Sequence, residues 1–104
     1  MTHESSRDAE PCLHLVLSAS QSAWEDCARV FQQDDTVLFL ADGVMRLLQD
    51  DEAVSIPRLH RRFSASDLAA RGLLVLARKR GMDVFEDADL TGLLKRHRHC
   101  LSWK

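Results

Sequence analysis

Residues 36–48 read TVLFLADGVMRLL, and the fold is decided there. Thr36 to Ala41 is a near-continuous apolar run without polar alternation, the pattern of a strand covered on both faces. Asp42 and Gly43 then turn the chain, and Val44, Leu47 and Leu48 recur on one side of a short helix. The same grammar precedes it. Cys12 to Leu17 (CLHLVL) is an earlier apolar run, Ser18 to Ser20 its exit turn, and Ser22 with Glu25 has the form of a capping box at a helix start. That helix puts Trp24, Cys27, Ala28 and Phe31 at i, i+3, i+4 and i+7 and is expected to end near Gln33. Strand, helix, strand, helix is the order of a parallel sheet with helices packed on its faces.

Further along, Gln49 to Glu52 reads as an acidic loop, and Arg58 to Phe63, after Pro57, as a third strand. His60, Arg61 and Arg62 are polar where a buried strand would be apolar, and that stretch fits the pattern least well. Ser66 is placed to cap a helix from Asp67, Gly72 to interrupt it, and Gly81 to stop it after the basic turn Arg78, Lys79, Arg80. Met82 to Phe85 reads as a short strand. Asp87 to Arg96 reads as a helix with Leu90, Leu93 and Leu94 inward, and His99 to Trp103 as a final strand. The expected architecture is α/β: one small domain over residues 12–104, a mostly parallel sheet with helices on both faces, behind a flexible polar arm at 1–11.

With 104 residues, the chain holds one core, since single cores form from roughly 100–150 residues. Hydrophobic residues make up 45% and charged residues 29%, which excludes disordered and collagen-like classes. The apolar runs are far shorter than the roughly 20 residues of a membrane span. Met1 to Glu10 lacks the basic and apolar regions of a secretion signal, so a cytoplasmic location is expected. The net charge of −2 hides a division. Residues 1–57 carry three Lys/Arg against eleven Asp/Glu, a balance of −8; residues 58–104 carry eleven against five, a balance of +6. Either the surface is polarised for docking a neighbour, or the halves intermix on folding and cancel.

Cys12, Cys27 and Cys100 are an odd set without CxxC spacing, which argues against a disulfide framework and a four-cysteine zinc site. Cys12 with His14, or His97 with His99 and Cys100, are partial ligand sets of two or three, and no metal is expected from them. The loop Ser18 to Ser22 has no glycine to cradle a phosphate, so no nucleotide cofactor is expected. No GxSxG elbow is present. The basic groups Arg58/Arg61/Arg62, Arg78/Lys79/Arg80 and Lys95 to His99 fit solvated or protein-docking faces better than direct nucleic-acid reading, since Trp24 and Phe31 are better placed in the core. Cys27 stands in the second turn of its helix, where the helix dipole favours a thiolate while Asp26 and the apolar face oppose it. A buried structural cysteine is the simpler reading.

Over Leu13 to Trp103 the chain resembles the TusB/DsrH family of sulfur-relay proteins. The resemblance is carried by Leu13-His14 with a Ser/Ala loop after it, DTVLFLADGV at 35–44, DLAARGL at 67–73, Asp83-Val84-Phe85 and Ser102-Trp103. It implies a DsrE/F/H-like fold and a place in a heterohexamer with TusC/DsrF-like and TusD/DsrE-like sister subunits, handing sulfur to a TusE/DsrC-like carrier. Sulfur would travel as a cysteine persulfide, with 2-thiolation of the transfer-RNA wobble uridine as the expected end and dissimilatory sulfur oxidation as the alternative. The resemblance implies a non-catalytic or carrier subunit, inactive alone, and Cys27 matches in position the first-helix cysteine of DsrH-type members, a candidate persulfide carrier. Cys12, Cys100, the polar stretch at 58–63 and Ala41 before Asp42-Gly43 have no counterpart in that pattern. An unrelated regulatory binding domain on the same scaffold is the reading outside this class.

Overall fold

A computed structural model describes residues 10–49 and 56–104. Residues 1–9 of the arm expected over 1–11, and the acidic loop beyond Gln49, lie outside them. The described elements are β1 (Cys12–Val16), α1 (Gln21–Val30), β2 (Thr36–Phe39), a 3₁₀ helix (Ala41–Leu48), a 3₁₀ turn (Arg58–His60), β3 (Arg61–Ser64), α2 (Ala65–Ala70), α3 (Leu74–Lys79), β4 (Asp83–Phe85), α4 (Asp87–Arg96) and β5 (His99–Trp103). The five strands form one sheet in the order β4-β3-β2-β1-β5, every pair parallel. The α/β expectation holds, and β1 and β2 lie inside the sheet as their apolar runs require.

Strand alternation sorts the core into two layers. On one face Val16, Val37, Phe39 and Phe63 pack with Trp24 and Cys27 of α1, Val44 and Leu47 of the 3₁₀ helix, Leu68 of α2 and Ala77 of α3. On the other face Leu13, Leu38 and Phe85 pack against Leu93 of α4. The Phe39 and Phe63 rings stack with centroids 4.5 Å apart, and Trp24 meets Phe39 at 5.3 Å, aromatic geometry that adds to the area buried.

The helix starts differ from the sequence expectation in one consistent way. The serine that ends the preceding loop or strand makes the cap: Ser20, not Ser22, accepts from the Ala23 N–H at 3.1 Å, and Ser64, not Ser66, accepts from the Asp67 N–H at 3.2 Å. A cap oxygen must reach the N3 amide while its own backbone is extended, and only these two serines stand where the extended chain turns into the helix. α1 ends at Val30 rather than near Gln33 because the Gln32 N–H donates to Asp35 Oδ2 and its carbonyl accepts from the Asp35 N–H, which commits 32–35 to a turn.

The third strand begins at Arg61, not Arg58. Pro57 pre-sets a 3₁₀ turn over Arg58–His60, and the polar residues then find local partners. Arg61 donates from Nε and Nη2 to the Ile56 carbonyl and lies 5.3 Å above the Trp24 ring. The DLAARGL helix is broken at Gly72 (φ +71°) and closed at Gly81 (φ +71°), two left-handed positions that suit glycine. Val44 and Leu47 face inward as expected, but Leu48 is turned out, because three residues per turn align i and i+3 and rotate i+4 away. Leu94 of α4 is likewise exposed while Leu93 is buried.

Gly43 accounts for the DGV signature. It sits against the backbone of Val16, so closely that a Cβ would collide with the Val16 carbonyl, while its N–H donates to the Leu40 carbonyl at 2.8 Å. The two charge-divided halves do intermix in part: Arg71 pairs with Asp42 at 2.9 Å and Arg98 with Glu10 at 3.3 Å. Several basic side chains turn inward to carbonyls, Arg58 to Arg80 and Arg80 to Leu47, each at 2.8 Å. Among the described residues no helix is long and apolar enough to cross a membrane.

Candidate functional site

Cys12 and His14 alternate onto the same face of β1, as their spacing predicts. The register with β5 sets Cys12 opposite His99, His14 opposite Leu101 and Val16 opposite Trp103. Asp35 arrives beside them from the residue before β2, where the turn at 32–35 delivers it under the start of β1. Cys12, His14 and Asp35 thus offer sulfur, nitrogen and oxygen atoms all within 4.8 Å of one another.

The hydrogen bonds define what this cluster does. Asp35 is 4% exposed, and its carboxylate accepts from the Cys12 N–H at 2.8 Å, the Gln32 N–H at 2.9 Å and His14 Nε2 at 2.8 Å. His14 is fully buried, and its other nitrogen, Nδ1, accepts from the Trp103 indole N–H at 3.1 Å. An indole N–H only donates, so His14 Nδ1 is unprotonated and the ring proton sits on Nε2, given to Asp35. His60 Nδ1 donates to the Asp35 carbonyl at 3.1 Å. Trp103, part-buried, and His14 and Asp35, both buried, form a chain that ties β5 to β1 and β1 to the entrance of β2. With both imidazole nitrogens occupied, a cation could be ligated by His14 only after this chain is dismantled, and the cluster as built is a hydrogen-bond lock.

Beside the lock opens a pocket of about 230 Å³, lined by Glu10, Cys12, Val30, Gln32, Asp35, His99 and Leu101. It lies at the edge of the sheet where the strands start, under the C-terminal end of α1. Val30 and Leu101 give it apolar walls, and Glu10, Cys12, Asp35 and His99 give it chemistry. His99 Nε2 stands 3.0 Å from Glu10 Oε1, with Arg98 Nη1 3.3 Å from Glu10 Oε2.

The three thiols differ in access. Cys27 is 0% exposed, wedged between α1 and the sheet; burial first, then the neighbouring Cys12 and Asp35, push its thiol up to about 12. Cys12 is half-buried and lines the pocket. Burial and the Asp35 carboxylate, with a smaller contribution from Cys100, raise it to about 11, and a backbone hydrogen bond from Leu101 works in the opposite sense. Cys100 is exposed on the opposite face of β5, its thiol raised by partial burial. His97 turns away to the Leu93 carbonyl at 2.7 Å, so the His97, His99, Cys100 grouping is not brought together, whereas the Cys12, His14 pairing is.

Asp35, Trp103 and the pairing of Glu10 with His99 are the site residues that spacing does not reveal. Each depends on strand register or strand order, and the nearest sequence signal is the polar His14 inside an otherwise apolar run. A family model described as DsrH like protein matches residues 17–99 of the chain. No curated protein matches it.

Proposed function

Since the chain belongs to the DsrH-like protein family, and so to the proteins of sulfur relay, we propose that it works as one subunit of a persulfide-transfer complex beside TusC/DsrF-like and TusD/DsrE-like sister chains. The family match over 17–99 carries this reading. The fold is compatible with it: a small sheet with one pocket-lining thiol, and Val30, Leu48, Leu59, Val75, Leu94 and Leu101 left on the surface as apolar contacts for neighbours.

The sulfur is proposed to end on the wobble uridine of transfer RNA, delivered through a TusE/DsrC-like carrier, with sulfur oxidation as the competing end. The role proposed for Cys27 from its position on the first helix is persulfide carrier. That role needs access as well as a thiolate, so it requires α1 to lift from the sheet; in the closed arrangement Cys27 serves as a core residue.

Co-expression with the two sister-type subunits tests the proposal. A single stable particle containing all three chains is expected, together with loss of 2-thiouridine from transfer RNA when the chain is deleted. A chain that remains monomeric in the presence of both sisters overturns the complex, and unchanged thiouridine with impaired sulfur oxidation moves the end point to the other branch.

A further inference from the structure

We propose that Cys12, not only the first-helix cysteine, is a sulfur-accepting thiol of this chain, with His99 as its general base and Glu10 as the carboxylate that orients His99. The proposal rests on the sulfur-relay reading above and adds the residues that would do the chemistry.

Three observations converge. Cys12 and His99 are register partners on adjacent parallel strands, so their side chains emerge on the same face, and both line the same pocket with Glu10. Glu10 Oε1 lies 3.0 Å from His99 Nε2. A carboxylate only accepts, so the neutral ring carries its proton on Nε2 and leaves Nδ1 as the nitrogen able to take another. Nucleophile, base and orienting acid are the three parts of an activated thiol. Cys27 has no exposed surface in the closed fold and Cys100 stands on the open opposite face, so Cys12 is the thiol that a donor entering this pocket meets.

A base is also what this thiol needs. Burial and Asp35 hold Cys12 well above the ordinary thiol range, and at neutral pH it is almost wholly protonated. The groups that face it are Asp35 and Cys100, which oppose the thiolate, the Leu101 N–H, which favours it, the His14 ring, a nitrogen of which lies within 4.8 Å, and the Leu13 carbonyl, to which Sγ donates at 3.8 Å. His99 is faced by Glu10, which Arg98 also contacts. His99 Nδ1 takes the Cys12 proton as the sulfur attacks the outer sulfur of a donor persulfide. The donor S–S bond breaks, a new S–S bond forms on Cys12, and the departing donor thiolate takes the proton from His99. Cys12 thiol and donor persulfide become Cys12 persulfide and donor thiol, with no net oxidation and no further reactant. Val30 and Leu101 supply apolar walls suited to a polarisable sulfur.

The test incubates the full chain with glutathione persulfide near neutral pH, blocks thiols by alkylation and weighs the peptides. A gain of one sulfur atom on the Cys12 peptide is expected, absent in Cys12→Ser. His99→Gln should slow that gain by about a hundredfold. Glu10→Gln, whose side-chain oxygen can still accept from His99 Nε2, should retain most of the rate that Glu10→Ala loses, a rescue that a purely structural role would not produce. Glu10 and His99 are 41% and 53% exposed at their side chains, so variants at both positions are expected to fold. Sulfur on Cys27 or Cys100 with none on Cys12, no uptake at all, or an unchanged rate in His99→Gln overturns the proposal. The relay reading fails separately: a chain that loads Cys12 yet never joins its sister subunits strikes that reading, and one that joins them without loading Cys12 strikes only this inference.

Discussion

His14 Nε2 lies 2.8 Å from Asp35 Oδ2, with side-chain exposures of 0% and 6%. The contact joins the centre of the sheet to the turn that ends α1, and the same carboxylate also holds the Cys12 and Gln32 amides. Asp35→Ala strands three donors at once, the buried His14 Nε2 and the part-buried Cys12 and Gln32 amides. A loss of roughly 3–5 kcal/mol is expected from urea unfolding, and a loss below about 1 kcal/mol would show that the amides find other partners.

Trp103→Phe keeps the ring packing but removes the indole N–H that His14 Nδ1 accepts. The expected cost is about 1–2 kcal/mol. Ring nitrogen shifts by NMR check the same claim independently: the intact protein should show His14 protonated at Nε2 alone. A signal from a protonated Nδ1 would contradict the assigned chain of donors.

Two glycines of the chain should respond in opposite directions to alanine. Gly43→Ala drives a Cβ into the Val16 backbone carbonyl, which has no flexible end to yield, and a loss of about 3 kcal/mol is expected. Gly92 sits within α4, where a Cβ would meet only the tip of Arg96 at 3.3 Å. Gly92→Ala should gain roughly 0.5–1 kcal/mol from helix propensity. Thermal melts of the pair decide, and equal shifts would refute the close approach at Gly43.

Burial raises Cys27 from the ordinary 9.0 to about 12. Its folded form holds a proton that the unfolded chain has released, so the stabilisation is complete below pH 9 and is lost as pH climbs towards 12. Unfolding free energy should therefore fall across that window. Cys27→Ala should flatten the fall, leaving the contributions of Cys12, whose thiol is raised to about 11, and of Cys100, raised by partial burial. A fall of the same steepness in the variant would assign the slope to other groups.

Much of the fold can be read from residues whose signal is local. Asp87–Arg96 and His99–Trp103 emerge with the bounds their patterns predict, because acidic first-turn residues and a short β-favouring tail need no tertiary information. The stretch after Pro57 resists such reading because Arg61 is stabilised from outside its own strand, by Ile56 and by the Trp24 ring. The site divides along the same line. Strand alternation alone puts Cys12 and His14 on one side of β1. Asp35, His99 and Trp103 join them only through the order β4-β3-β2-β1-β5, which no spacing along the chain encodes.

The placement of β5 next to β1 has a consequence for how the pocket comes into being. Its contacts reach across nearly the whole chain: Trp103 to His14 and His99 to Glu10 are each 89 residues apart in sequence, whereas β1 meets β2, β2 meets β3 and β3 meets β4 over much shorter loops. Ring closure over such a span is entropically the dearest step of assembly and the slowest to be rewarded. The thiol pocket is thus expected to condense late in folding. Amide exchange should find the β1–β5 seam opening ahead of the β1–β2 seam, giving the buried sulfurs a route to solvent that leaves most of the core standing.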